Sequence, residues 1–390
     1  MKLNKNRWKQ VKLGEVTHLI TDGKHGDCVN DENSGYYFLS AKDVINKRLK
    51  YEGARQITKI EFEETHRRTN LKAGDVLITN AGTIGRIAIA DNDDRTSRTT
   101  FQKSVAVIKP KRDILHNVFC SFKLEADIEK LIGVSAGTAQ KNLLLGDLKK
   151  HEISLPPLEE QKQIATLFQS IETAMEQVDG QEKNLKKLQQ GLVNGLLSTE
   201  PVFGNLLNSK NCTATNFGQI AECDKSAEHT NEVSRFVGLE DIEPENFDLQ
   251  GWGDMAKGTT FTKRFAIGDV LFGKRRAYLK KVAIADFDGV CSGDILVIRA
   301  KAKKILQPLL PYYISSDAFI QLAVSTSAGS LSPRTKWKDL AEMEVSITDI
   351  KTQQKILNIL QQLTSIIQQL KQQKTTLKNL KQKLLSEILG

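Results

Sequence analysis

The chain has 390 residues, with 56 Lys and Arg against 47 Asp and Glu for a formal charge of +9; the length exceeds one ordinary core and the charge favours polyanions such as nucleic acid. Five cysteines with no close CxxC pair indicate neither a disulfide framework nor a thiolate metal site. No stretch approaches the roughly 18 apolar residues that cross a bilayer, and the opening MKLNKNRWKQ lacks the apolar run of a signal peptide, so a soluble, cytoplasmic protein is expected.

The first globular stretch, residues 1–158, carries the β-rich runs DVLIT, RIAIA and SVAVI and then a helical segment, HNVFCSFKLEADIEKLI, which together read as α+β. Its loops hold side chains suited to nucleic acid. NAGTIGR and NDDRTSRTTFQK contribute Asn80, Arg86, Arg98, Gln102 and Lys103, and GTAQKN adds Gln140, Lys141 and Asn142. Arg and Lys neutralise phosphates or fork onto guanine, while Asn and Gln pair with adenine. The plainer reading of each is a solvated basic loop. Residues 159–198 then form a long helix. Its apolar stripe is Ile164, Phe168, Ile171, Met175, Val178, Leu185, Leu188, Leu192 and Leu196, at steps of three and four, with Glu182 the one polar member. Pro156 and Pro157 precede the helix and Pro201 follows it.

From residue 199 the order repeats. A linker and second globular stretch, 199–348, carries DVLFG, KVAIA and DILVI and the helical LLPYYISSDAFIQLAV. A second helix at 349–390 has Ile356, Leu360, Leu363, Ile367, Leu370, Leu377, Leu380, Leu384 and Ile388 matching the first stripe, with Lys374 at the position of Glu182 and Asp349 as its N-cap. SLPPLEEQKQIATLF and SITDIKTQQKILNIL share Ser154/Ser346, Gln161/Gln353 and Ile164/Ile356 at a constant offset of 192, which Ala136/Ala328, Gly137/Gly329, Asp147/Asp339 and Leu148/Leu340 keep. The loops diverge. KRRAYLKK stands for NAGTIGR and supplies Lys274, Arg275, Arg276, Lys280 and Lys281, while GSLSPRTKWK supplies Arg334 and Lys336. Because recognition sits on loops of a retained scaffold, the two targets should differ.

Each helix should be roughly 60 Å long. A parallel pair would force the link near residues 198–215 to run back along a whole helix at full stretch. An antiparallel pair needs no return, generates a pseudo-twofold axis and puts the globular domains at opposite ends. Symmetric dimers read separated half-sites of duplex in this way.

The segments GDVLFGKRRAYLKKVAIADFDGVCSGDILVIRA and GSLSPRTKWKDL, and LPPLEEQKQIA before a leucine-rich helix, resemble the specificity subunit of type I restriction-modification systems over essentially the whole chain. The resemblance implies two similar target-recognition domains at opposite ends of a long antiparallel two-helix coiled coil. It implies a bipartite, asymmetric site in double-stranded DNA with a nonspecific spacer, helices that set that spacer and dock two methylation subunits, and motor-nuclease subunits that join for cleavage. It implies a noncatalytic chain, with S-adenosylmethionine and ATP used only on partner subunits. The base-contacting residues do not carry over, because the recognition loops vary within the family.

Catalytic readings are weaker. Gly268, Gly273 and Lys274 have P-loop spacing, but Arg275 stands where Ser or Thr should hold magnesium and the segment reads as a strand. The Pro156 and Pro157 pair lies between leucines, unlike the Asp/Asn-Pro-Pro-aromatic element that grips a flipped adenine. Glu160 and Lys162 have the ExK spacing of some nucleases but fit ordinary helix surface, and the six histidines share no metal-ligand spacing. Two other noncatalytic classes stay in view: a scaffold or decoy whose loops touch DNA without discrimination, and a single-strand binder, which 6% aromatic residues would supply with few stacking platforms.

Overall fold

A computed structural model describes residues 3–133, 142–196, 212–224 and 233–390. The chain divides into two compact units, residues 1–178 with Gln373–Gly390, and Asp179–Gln372. Each unit therefore takes half of each long helix into its own body, whereas the sequence reading sets the helices apart as separate pieces.

In the first unit an antiparallel sheet has the strand order Thr17–Asp22, Val105–Pro110, Val76–Thr79, Ile87–Ile89. The run VLIT is apolar without alternation because both sheet faces are covered. Val76 and Ile78 face a core with Phe119, Phe122 and Phe168, while Leu77 faces another with Leu39, Val44 and Phe101. Helix Asn117–Ala126 supplies the first cover, and a short parallel pair, Tyr37–Leu39 beside Thr99–Phe101, supplies the second. Strand Lys9–Lys12 pairs with Glu152–Leu155, which leads directly into the first long helix, Leu158–Gly195.

The second unit repeats this plan. Its sheet runs Ala221–Asp224, Ile295–Ala300, Val270–Gly273, Val282–Ile284, and Thr213–Asn216 pairs with Glu344–Ile347 ahead of the second long helix, Ile350–Leu384. The parallel pair recurs as Arg235–Val237 beside Gly289–Cys291, widened here by Gly253–Asp254 and Lys263–Phe265. Asp349 caps the second helix, its Oδ1 accepting from the Thr352 amide at 3.0 Å.

The glutamine shared by the two repeats does the same work at the start of each long helix. Gln161 and Gln353 are both fully buried. Gln161 Oε1 accepts from the His116 amide at 2.8 Å, and its Nε2 donates to the carbonyls of Ile114 (2.9 Å) and Pro156 (2.8 Å). Gln353 makes the same three bonds to the Leu306 amide (2.9 Å), Lys304 (2.9 Å) and Thr348 (2.8 Å). Each side chain satisfies an irregular loop that the helix would otherwise bury unpaired.

Within each unit the start of one long helix packs with the end of the other. In the first, Leu385, Ile388 and Leu389 share a core with Ile164, Phe168 and Ile171, and Lys381 bonds Glu172. In the second, Val193 and Leu196 share a core with Ile356, Leu357 and Leu360, and Gln189 bonds Thr364. Of the expected stripe, Ile164, Phe168, Ile171, Val178, Leu196, Ile356, Leu360, Ile367, Leu370 and Ile388 are buried, and Met175, Leu185, Leu192, Leu363, Leu377 and Leu384 are partly so. Leu188 and Leu380 depart from it, being 51% and 42% exposed. They occupy equivalent positions, four before Leu192 and Leu384, where the packed face has rotated toward Val193 and Leu385 as an ideal helix drifts off a fixed repeat. The second helix closes in a single wide turn, Leu385–Leu389.

That last turn is held by a buried charge cluster. Lys123 Nζ donates to the Leu389 carbonyl at 2.7 Å and pairs with Asp127 at 2.8 Å, and Asp127 also meets Lys130 and His151, each at 3.0 Å. Burial works to raise the Asp127 carboxyl, but the His151 and Lys123 bonds prevail and hold it at about 2, below the ordinary 3.8.

Replacing Gln161 by Leu leaves an amide and two carbonyls without their partner, and should destabilise the first unit by roughly 2 to 4 kcal/mol in chemical denaturation; a change below about 0.5 kcal/mol would refute the clamp. Because the folded Asp127 pKa is depressed, its stabilisation is complete above the unfolded value of 3.8 and lost as pH falls through about 2. Asp127→Asn should therefore abolish that part of the acid dependence, read as the midpoint of acid unfolding.

Candidate nucleic-acid interface

In the second unit the two basic loops singled out in sequence are joined by backbone. The Thr335 amide donates to the Lys274 carbonyl at 3.1 Å, the Arg276 amide to Pro333 at 2.9 Å, and Arg275 forms a β-bridge with Arg334. Asp294, which sequence reasoning does not single out, gathers the side chains. Arg334 grips it through Nε at 2.6 Å and Nη2 at 3.0 Å, while Arg275 Nη1 stands 3.7 Å away and Arg275 Nη2 bonds Ser332 Oγ at 3.0 Å. The Arg334 bonds hold the Asp294 carboxyl below its usual range. Burial, with Lys263 next in effect, lowers the Lys274 ammonium below its usual value. The result is a patch of three cations, Lys274, Arg275 and Arg334, around one carboxylate. Such a patch can exchange an internal partner for phosphate or a base edge.

Other candidates face elsewhere. Lys280 pairs with Asp317 at 2.7 Å and Lys281 donates to the Leu239 carbonyl at 2.6 Å, so both brace the loop rather than project from it. Arg276 and Lys336 are exposed. Arg276 and Lys280 are both left-handed, with φ of 54° and 51°, a conformation uncommon for side-chain-bearing residues and found where a loop is held in a particular shape. The segment with P-loop spacing is the strand Val270–Gly273 entering this antiparallel hairpin, not a loop before a helix.

The first unit builds the same junction from different residues. The Leu143 amide donates to the Asn80 carbonyl at 2.8 Å, the Asn80 amide to Ser104 at 3.0 Å, and Ala81 bridges Asn142. These match the bonds at Lys274, Asp294 and Thr335. Here the hairpin turns on Gly85, at φ 89°, where a Cβ would lie 2.3 Å from Ile128 Cδ1. Asn80 is only 7% exposed; its backbone ties the junction, while its side-chain Oδ1 is buried without a hydrogen-bond partner. Arg86 is exposed and reaches the Ala41 carbonyl at 3.3 Å, Lys103 is exposed, and Gln102 bridges Lys24. Arg98 stands apart on the turn Thr96–Arg98, beside Gly35. Gln140 and Lys141 lie outside the described residues.

Among the described residues no cluster of three or more His, Cys, Asp or Glu could hold a metal, and no helix is long and apolar enough to cross a membrane. Glu160 accepts from Trp8 Nε1 at 3.0 Å, and Lys162 forms an exposed pair with Glu159 at 2.6 Å on the helix surface.

Similarity to known proteins bears on this geometry. The model of the family described as "Type I restriction modification DNA specificity domain" matches residues 5–187 and 245–379. The chain is similar to the type I restriction enzyme EcoDI specificity subunit of Escherichia coli, 24% identical over 91% of this chain and 81% of that protein. It is also similar to the putative type I restriction enzyme MjaX specificity subunit of Methanocaldococcus jannaschii, 20% identical over 98% and 92% of the two chains. Among solved structures, the type I restriction-modification S subunit from M. genitalium shares the fold, with a TM-score of 0.59 at 16% identity over 99% of this chain and 97% of that one. A chain from a study of complex assembly and conformational transition in the type I R-M system gives 0.57 at 16% identity, covering 100% and 99%.

Asp294→Asn removes the carboxylate that gathers Arg275 and Arg334. Hydrogen exchange at the Arg276 and Thr335 amides should accelerate roughly fivefold, as suits a half-exposed pair contributing up to about 1 kcal/mol. Unchanged exchange would show that the backbone bonds alone set the junction.

Proposed function

Because the chain belongs to the type I restriction modification DNA specificity domain family, we propose that it reads a bipartite, asymmetric site in duplex DNA, one half per unit, and takes no chemical step itself. The observation that carries this reading is the doubled junction. The bonds at Asn80, Ser104 and Leu143 recur at Lys274, Asp294 and Thr335, while the side chains they present differ. One scaffold with two different loop sets suits two different short sequences. Arg275 and Arg334 are the best placed for guanine or phosphate in one half. Arg86, Lys103 and Asn142, all exposed, are the best placed in the other.

The two long helices are the ruler in this reading. The packing of the start of each helix with the end of the other, Glu172 with Lys381 and Gln189 with Thr364, supports one antiparallel two-helix coil with a pseudo-twofold axis and the recognition domains at its two ends. A helix of 38 residues measures roughly 57 Å, which corresponds to under two turns of duplex. On its outer face the coil docks two methylation subunits, which bring S-adenosylmethionine to an adenine in each half-site. Motor-nuclease subunits using ATP join for cleavage, and the complex works in the cytoplasm. A scaffold that binds DNA without discrimination fits less well, because such a protein has no need of two different loop sets on one junction.

Coexpression with the methylation subunit encoded beside it should place modified adenines in a single asymmetric motif, two fixed stretches around a constant gap. A folded complex with an active methylation subunit and an unmodified genome would contradict the proposal. In binding assays, affinity for unrelated duplex should fall steeply with salt while the motif-bearing complex persists; identical salt curves for both duplexes would favour the scaffold.

A further inference from the structure

The same helix-to-domain joint is built twice, with a cluster of four charges at its centre in the first unit and a Gln–Thr pair at the equivalent helix positions in the second. In the first unit Lys381 bonds Glu125 at 2.6 Å and Glu172 at 2.8 Å, and Lys47 pairs with the same two carboxylates at 2.5 and 2.8 Å, its Nζ lying 3.7 Å from the centre of the Phe122 ring. All four side chains are largely shielded, between 13% and 28% exposed. Burial lowers the Lys47 ammonium despite its two carboxylates, whereas at Lys381 the carboxylates outweigh burial and raise it.

The 192-residue repeat puts Gln189 at the position of Lys381 and Thr364 at that of Glu172. Those two meet in the second unit, Gln189 Nε2 donating to Thr364 Oγ1 at 2.7 Å, with the Tyr312 hydroxyl 3.2 Å from the same oxygen. In the preceding helix the clamp partners His116/Leu306 and Ile114/Lys304 keep an offset of 190, which puts Ser315 and Tyr312 at the positions of Glu125 and Phe122; these second-unit residues line one cavity of about 600 Å³, whose wall also carries the Lys280–Asp317 pair.

An internal repeat carries a hazard. The first helix of one copy can pair with the first helix of a second copy, because the two apolar stripes are equivalent. We infer that the Lys47, Glu125, Glu172 and Lys381 quartet is a joining code that makes each helix choose the other helix of its own chain over its own counterpart in a second copy. In a like-with-like pair Glu172 would face Gln189 of the second copy, leaving two shielded carboxylates with Lys47 alone, or Lys381 would face Thr364 with neither of its carboxylates. Leaving one member of a shielded charge set unmatched is heavily penalised even where the matched set adds little net stability. This is how polar groups in helical seams choose partners.

The test uses the full chain, refolded from denaturant at micromolar concentration and weighed by native mass spectrometry. Gln189→Lys with Thr364→Glu makes the second joint charged in the same polarity as the first, so like-with-like pairing becomes matched. Two-copy assemblies should then rise by about tenfold or more over the natural chain. Gln189→Glu with Thr364→Lys reverses that polarity, sets like charges against each other in every like-with-like pair, and should stay single. Equal amounts of two-copy species in the two variants, whether low or high, would overturn the inference, since simple destabilisation does not depend on polarity. A neutral first joint, Lys47→Met with Glu125→Ser, Glu172→Thr and Lys381→Gln, borrows mostly side chains already accommodated at the second and should also form two-copy species; a strictly single population would count against the code. The inference rests on the antiparallel pairing proposed above and not on DNA reading. A Glu172→Cys, Lys381→Cys pair that failed to cross-link within one chain would refute the pairing itself.

Discussion

The structure depends on a buried side-chain amide at the entrance to each long helix. A helix leaving a globular domain must cover the loop it leaves over, and that loop has backbone groups pointing inward. Gln161 and Gln353 answer three of them apiece, to the same relative positions in both units. A hydrophobic residue there would bury the loop unpaired, and a charge would be worse. With the helix start fixed in direction, the apolar stripe beyond it is aimed as well. The recognition loops are tied to the same scaffold, since Leu143 and Thr335, which tie the hairpin junctions, each lead through one short helix, Leu145–Lys150 or Trp337–Ala341, to the strands that enter the clamps.

Much of this is legible in the sequence because the gene repeats itself. Central strands such as Val76–Thr79 and Val270–Gly273, and both long helices, follow from apolar runs and from the three-four spacing. The equivalence of Gln161 and Gln353 is visible as a shared letter, but not its meaning, since its partners at Ile114, His116, Lys304 and Leu306 stand 45 to 49 residues upstream. The outer parallel pairs leave no signal for a physical reason. Strands of three residues, such as Tyr37–Leu39 and Gly289–Cys291, are too short to show a period.

The candidate site is legible as loops and not as side chains. Composition finds the two basic loops in each copy but does not say which cations are spent on internal partners. Lys280 and Lys281 read as free positive charge and are bound to Asp317 and the Leu239 carbonyl. Asn80 reads as a base-pairing amide and is buried in the junction. Asp294 draws no attention because an acid in a basic loop looks like a loss of charge, whereas it organises Arg275 and Arg334. Leu188 and Leu380 read as seam residues from spacing alone, yet the seam turns past them toward Val193 and Leu385. In each case the missing information is three-dimensional pairing, which no single-sequence period encodes.

The measurement that bears most directly on the account is the modified-adenine motif written by the Arg275→Ala, Arg334→Ala double variant in cells that also carry the methylation subunit. If each unit reads its own half over a ruler set by the helices, preference should relax at positions in one half only, with the other half and the gap between them unchanged. Relaxation of both halves together, or a changed gap, would contradict the assignment of one reader to each unit.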